Sequence, residues 1–83
     1  MLRVSVISPE AALYEGDATS VVAPAFDGEI GILTGHAPLM TLLGKGELRV
    51  DASGGQRKFT VDGGFLQVLE NHVRVVTESG KAT

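Results

Sequence analysis

Two histidines, two carboxylates at alternate positions and a glycine-spaced segment are the groups in this chain whose types and spacing could do chemistry. His36 and His72 are the only imidazoles, and neither stands in a His-x-x-x-His or His-Glu pattern that would hold zinc. No cysteine is present to act as nucleophile or thiolate ligand, and no Gly-x-Ser-x-Gly elbow presents a serine. Asp27 and Glu29 would share a face of a strand and could hold a cation, but exposed carboxylates beside a turn are far more often simply solvated. Gly28–Gly35 is not a phosphate loop, because His36 follows where Lys-Ser or Lys-Thr is required; Gly80-Lys81 has the lysine without a glycine five residues earlier. Ser53-Gly54-Gly55-Gln56 echoes the signature of transporter ATPases, yet it stands alone and reads as a hairpin tip. These groups compose no active site.

The elements that must position such groups are short and alternate with period 2. Leu2, Val4 and Val6 fall on one face of a strand, with Arg3 and Ser5 on the other. Leu48 and Val50 alternate with Glu47, Arg49 and Asp51; Phe59 and Val61 with Lys58, Thr60 and Asp62; Val73 and Val75 with His72 and Arg74. This is the pattern of antiparallel strands with one wet face. Turn signals separate them at Ser8-Pro9-Glu10, Glu15-Gly16-Asp17, Asp27-Gly28, Gly44-Lys45-Gly46, Ser53-Gly54-Gly55, Asp62-Gly63 and Glu70-Asn71. No window carries a helical apolar stripe. The expected fold is all-β: a small antiparallel β-sandwich or flattened barrel of about eight to ten short strands, in a single domain over 1–83. Residues 78–83 are polar and are expected to form a loose tail.

Composition excludes several functions. Eighty-three residues allow one domain with a small core. Ten acids against seven scattered bases leave a net charge of −3, without the basic stripe that nucleic-acid binding needs. No apolar run approaches the roughly 20 residues of a membrane span. The N-terminus alternates polar and apolar residues and lacks the apolar block of a signal peptide. The absence of cysteine suits a reducing compartment, and a cytosolic folded domain is expected.

The segment Gly28-Glu29-Ile30-Gly31-Ile32-Leu33-Thr34-Gly35-His36-Ala37-Pro38-Leu39 describes a short strand that turns sharply at both ends. Its three glycines read as backbone requirements, since glycine alone reaches positive φ without a Cβ clash. Read with Gly63-Gly64-Phe65-Leu66-Gln67-Val68, it resembles the N-terminal sandwich domain of the epsilon subunit of F-type (rotary) ATP synthases. That family typically reads Gly-Glu-hydrophobic-Gly-hydrophobic-x-Pro-Gly-His-Ala-Pro-Leu, then Gly-Gly-Phe-hydrophobic-x-Val. The likeness runs from about Val4 to Thr77. Thr34 stands where the family commonly has proline, which leaves this loop somewhat freer.

The resemblance implies a non-catalytic subunit that binds the gamma subunit and the c-ring, peripheral to the cytoplasmic face of a bacterial inner membrane through the complex. It implies no cofactor, no metal and no nucleotide binding. On sequence alone His36 reads first as a turn histidine bonded to nearby backbone; the resemblance places it, with Ser8 and Thr41, on the gamma side, and Glu29 at a loop tip on the c-ring side. Gly63-Gly64 is read as scaffold, a bulge or close backbone approach. The family usually continues into a pair of helices, which in some members bind ATP or reach toward the catalytic head. This chain stops where that segment would begin, whether the subunit is naturally short or part of a longer one, so only the sandwich functions carry over. Phe26, Leu33, Met40, Leu42 and Leu43 exceed what one small inner face needs, and either form a docking face or cap the open end of the sandwich. Two other classes stay in view: a free-standing sandwich whose glycine-rich loop holds a small anion, and a hydrolase using Asp27, Glu29 and His36.

Overall fold

Each alternating segment of the sequence becomes a strand in the computed structural model, which describes Met1–Thr83. The strands are β1 (Leu2–Ile7), β2 (Ala12–Ala18), β3 (Ser20–Ala25), β4 (Gly28–Leu33), β5 (Leu39–Leu42), β6 (Lys45–Ala52), β7 (Gly55–Leu69) and β8 (His72–Ala82). They join in one hydrogen-bonded order, β2-β1-β8-β7-β6-β3-β4, with β5 also paired to β7. The all-β sandwich expected from the sequence is what forms. One pairing departs from the antiparallel expectation: β1 lies parallel to β8, with Val4 opposite Val73 and Val6 opposite Val75. A period of 2 reports which face a side chain takes and carries no information about strand direction.

Two strands are not short. At roughly 3.3 Å per residue, the 15 residues of β7 would extend about 50 Å, yet the longest dimension of the molecule is 27 Å. The strand must bend, and it does so at Gly63-Gly64, with φ of 73° and 104°. Its neighbours bend with it. On one side β7 pairs with β5 up to Leu42↔Phe65 and with β6 from Lys45↔Asp62. On the other side its pairing with β8 breaks between Gly64↔Thr77 and Asp62↔Ser79. The corner folds the sheet into two layers. Layer one holds β5, the C-terminal half of β7, the N-terminal half of β8, β1 and β2. Layer two holds β4, β3, β6 and the remaining halves of β7 and β8.

The corner keeps its hydrogen bonds. Leu43 N–H donates to the Gly64 carbonyl at 2.9 Å, and Gly63 N–H to the Gly44 carbonyl at 3.2 Å. The buried Thr77 hydroxyl lies 3.1 Å from the Gly63 carbonyl and 2.8 Å from that of Ser79, and accepts from the Ser79 amide at 3.3 Å. Between the layers sits one apolar cluster, with Val4, Val6, Leu66, Val68, Val73 and Val75 from layer one against Val21, Ile32, Leu48, Val50, Phe59 and Val61 from layer two. Tyr14 on β2 closes one side, edge-on to Phe59 at 6.3 Å between ring centroids and covered by the Arg57 guanidinium at 5.6 Å.

Three local expectations are corrected. Glu15-Gly16-Asp17 is no turn: Gly16 pairs with Val4 inside β2, since a lone glycine is tolerated in a strand whose partner fixes it. Asp62-Gly63 is the corner of a continuous strand. Residues 78–83 do not hang loose, because Lys81 pairs with Thr60, Ala82 with Phe59, and Thr83 N–H donates to the Lys58 carbonyl at 3.0 Å. Polarity there reflects a wet face and not a lack of partners.

The corner yields a ranked prediction. A Cβ on Gly64 would fall on the Val76 carbonyl oxygen, which is backbone and cannot yield. A Cβ on Gly63 would meet only the carboxylate end of the flexible Glu78 side chain. Gly64→Ala is expected to cost roughly 3 kcal/mol or more and Gly63→Ala about 1–2 kcal/mol, from positive φ alone. Urea denaturation reads both; equal losses would contradict a corner built on close backbone approach at Gly64.

Candidate functional site

The glycine-spaced segment forms β4 with a turn at each end, as its spacing implied. Gly28 leaves the Phe26-Asp27 turn at φ 131° and Gly35 sits in the following turn at φ 87°. Gly31 has no positive φ and open space where a Cβ would project, so it is not the backbone requirement its spacing suggested. It pairs with Val22 on an exposed part of the edge strand.

The turn carrying His36 is held from a distance in sequence. His36 N–H donates to the Leu33 carbonyl at 3.1 Å, and the imidazole Nδ1 lies 2.7 Å from the Ala37 carbonyl. Gly35 N–H donates to the Asn71 side-chain oxygen at 2.7 Å. Asn71 and Glu70 make the tight β7–β8 turn with φ of 63° and 49°, the doubly left-handed shape of a type I′ hairpin. The Asn71 carbonyl also accepts from Arg3 N–H at 2.8 Å, so one residue ties the start of β1 to the His36 loop. Sequence reasoning marked Glu70-Asn71 as a turn and missed this clasp.

Ser8, His36 and Thr41 surround layer one without meeting. Ser8 is buried at the β1–β2 turn, its hydroxyl donating to the Ala11 carbonyl at 3.1 Å and accepting from the Ala11 amide at 3.3 Å. Thr41 lies on the edge strand β5 opposite Leu66. Between β1 and β5 stand β8 and β7, so three strand spacings of about 4.8 Å put Ser8 and Thr41 roughly 14 Å apart. His36 precedes the start of β5, at the end of the layer away from Ser8. Glu29 lies on the outer face of layer two, its carboxylate 3.6 Å from the Arg49 guanidinium, which also reaches Glu47 at 3.7 Å.

Asp27, Glu29 and His36 do not converge. Glu29 is engaged by Arg49, and from Glu29 to Leu33 the strand alone runs about 13 Å before the His36 turn begins. A hydrolytic constellation needs its groups within hydrogen-bond reach.

The outer faces of the two layers differ in chemistry. On layer two, the acids Glu29, Glu47, Asp51 and Asp62 are interspersed with the bases Arg49 and Lys58. On layer one the register sets Leu42, Phe65, Val76 and Ile7 side by side across four strands, opposite in phase to the buried Leu66, Val75 and Val6. Met40 lies two residues from Leu42 on the same face, and Phe26 N–H donates to the Leu42 carbonyl, which brings it beside the row. Phe26, Met40 and Leu42 are 67, 64 and 62% exposed. Of the apolar residues singled out from the sequence, Leu43 is instead buried in the core, and Leu33 lies opposite Ser20 on layer two. Phe65, Val76 and Ile7 were missed, because the row appears only once three pairings fix the register.

Asn71→Gly keeps the turn's left-handed backbone and removes only the acceptor for Gly35. It is expected to lose about 1 kcal/mol and to raise amide exchange at Gly35 above that at core positions such as Val73. Unchanged exchange at Gly35 would show that the loop holds itself.

Comparison with known proteins agrees with this architecture. Residues 1–82 match the family described as ATP synthase, Delta/Epsilon chain, beta-sandwich domain. The chain is 42% identical over 83 residues to the ATP synthase epsilon chain of Frankia casuarinae, covering 99% of this chain and 98% of that one. It is 44% identical over 79 residues to the epsilon chain of Leptospira borgpetersenii, covering 95% of this chain and 62% of that one. With the epsilon chain of Solibacter usitatus it shares 47% identity over 77 residues, 93% of this chain and 58% of that one. The chain thus spans about three fifths of the length of the Leptospira and Solibacter relatives. Two solved structures share the fold. A chain of the Euglena gracilis mitochondrial ATP synthase (OSCP/F1/c-ring) superposes with a TM-score of 0.89 at 21% identity, over 98% of this chain and 52% of that one. A chain of the Tetrahymena thermophila mitochondrial ATP synthase central stalk and c-ring superposes with a TM-score of 0.80 at 16% identity, over 96% and 65%. Family match, relatives and fold agree: this chain belongs to the ATP synthase delta/epsilon family, as its β-sandwich domain.

Proposed function

We propose that the domain is a non-catalytic rotor subunit of the central stalk. It packs layer one against the foot of the gamma subunit and turns the β3–β4 tip toward the polar loops of the c-ring, so that proton-driven ring rotation and shaft rotation stay locked. The observation that carries this reading is the outward apolar row Leu42–Phe65–Val76–Ile7, in which exposed Leu42, Met40 and Phe26 adjoin half-buried Phe65, Val76 and Ile7, on one side of a sandwich whose other side is charged. Exposed contiguous apolar surface is the mark of a partner face. Thr41 stands in β5 between the outward Met40 and Leu42 but in the inward phase of Leu66, so it backs the row from beneath, and His36 lies at the far end of layer one from Ile7; Ser8 contributes through the shape of the β1–β2 turn, since its hydroxyl is already engaged. Glu29, on the opposite layer, is the ring-side group. The domain is thereby peripheral to the cytoplasmic face of a bacterial inner membrane, held there by the complex. It has no nucleotide site and no catalytic step of its own.

Two experiments test the orientation. Leu42→Asp puts a charge at the exposed β5 end of the row, between Met40 and Phe26, and is expected to weaken the isolated gamma complex at least tenfold, about 1.4 kcal/mol. Normal gamma affinity in a folded Leu42→Asp protein would remove layer one as the docking face.

His36→Asp is expected to weaken gamma binding as well, because a charge would be desolvated at the margin of layer one without a partner. Glu29→Lys is expected to leave gamma binding nearly intact, a remote exposed charge contributing little, while impairing assembly onto the ring. Thermal melting of each variant first establishes folding. Equal loss of gamma binding by both folded variants would reverse the proposed orientation.

A further inference from the structure

Beside the apolar row, layer one carries a shallow open groove lined by Ser5, Ile7, Gln67, Leu69, His72 and Arg74, with Glu70 at its lip. The register explains its floor: Ser5, Arg74 and Gln67 lie side by side on three adjacent strands, two residues along from Ile7, Val76 and Phe65. Arg74 is the centre of that line. Of the four arginines in the chain, Arg3 is bridged to Asp17 at 3.6 Å, Arg49 to Glu29 and Glu47, and Arg57 covers the Tyr14 ring. Arg74 alone has neither a carboxylate nor a ring. The fold thus places its one unmatched guanidinium in a concavity, flanked by a hydroxyl and an amide that can also donate. The Ser5 hydroxyl is 3.4 Å from His72 Nε2, which adds a second basic group to the same wall.

We propose that this groove takes an aspartate or glutamate side chain of the gamma subunit, with Arg74 as its paired cation and Ser5 and Gln67 as flanking donors. The proposal rests on the docking of layer one argued above and deepens it. A guanidinium presents parallel N–H donors that match both oxygens of a carboxylate, which fixes direction as well as attraction. Ile7 and Leu69 shoulder the site and exclude water once a partner lies on the adjoining row, and a drier site strengthens the pair. Charge complementarity favours an acidic occupant at this one place, on a chain whose net charge of −3 otherwise repels acidic surfaces. The apolar row then supplies adhesion, and the Arg74 pair sets the rotational register of the sandwich on the shaft.

Surface-binding kinetics with purified gamma subunit test this for the wild-type chain and for Arg74→Gln, Arg74→Lys and Leu42→Asp. Arg74 is exposed, and an unchanged melting temperature establishes that its variants fold. Arg74→Gln is expected to dissociate about tenfold faster with association within about twofold, the behaviour of a desolvated pair and not of a rim charge; Arg74→Lys is expected to recover part of the loss. Wild-type dissociation of Arg74→Gln, with Leu42→Asp defective, overturns the groove pair and leaves the docking face standing. Wild-type binding by both overturns the docking face and the pair together. Millimolar inorganic phosphate that stabilises the wild-type chain but not Arg74→Gln, while the gamma kinetics of Arg74→Gln stay normal, also overturns the proposal and makes the groove a free-anion site.

Discussion

The close backbone approach of Gly64 to Val76 is the constraint on which the rest of the architecture depends. β7 is about twice as long as the molecule is wide, so it must serve both layers or break. Two consecutive glycines at positive φ let it turn the corner while keeping its ladder on both sides. The turn also changes the phase of the strand. Before it, Phe59 and Val61 point inward at odd positions; after it, Leu66 and Val68 do so at even ones. β8 makes the complementary change, from the inward Val73, Val75 and Thr77 to the exposed Ser79 and Lys81. So do β5 and β6, where inward Leu43 gives way to Leu48 and Val50. Since a one-residue slip exchanges the two faces of a strand, a change of phase along one line through β8, β7 and the β5–β6 junction keeps every apolar set in one core.

That change of phase marks where the sequence stops being legible. Alternation on each half-strand could be read residue by residue, and the four quoted segments have the buried faces their pattern implied. The joint between halves could not. Asp62-Gly63 carries the ordinary composition of a turn, and a broken alternation followed by a new one reads as two strands. The count of eight to ten short strands has this same origin, whereas 78–83 read as a loose tail because they are polar and terminal, and their pairing with the N-terminal half of β7 is not visible in that composition. Strand direction was invisible for a related reason. Nothing local distinguishes a first strand lying parallel to the last from one lying antiparallel to it.

The candidate site divides in the same way. The turns flanking β4 were readable because positive φ at Gly28 and Gly35 is a local demand. The partner that holds one of them was not, because Asn71 stands 36 residues away and reads by itself as half of a hairpin turn. The apolar face is the clearest case. Met40 and Leu42 stood out as surplus, whereas Phe65, Val76 and Ile7 each looked like ordinary members of a strand. Only the register makes them one surface, and only the register moves Leu33 off it.

Corner and docking face are mechanically one object. β5 has a single strand partner, β7, and its exposed Met40 and Leu42 owe their position to the half of β7 that follows Gly64. The Leu43 amide bonded to the Gly64 carbonyl anchors the end of β5 at the bend itself. Phe26 reaches the row by donating to Leu42, so the β3–β4 tip is tied to the same point from the other layer. A coupling element between two partners needs its two contact surfaces at a fixed mutual angle. Here the apolar row and the β3–β4 tip, the two surfaces proposed for such contacts, meet within three residues of the corner, at Leu42, Leu43 and Gly44. A change in the bend would therefore rotate one surface against the other without altering a single residue in either. Rigidity at Gly64, more than the chemistry of any exposed side chain, is what such a role demands of this fold.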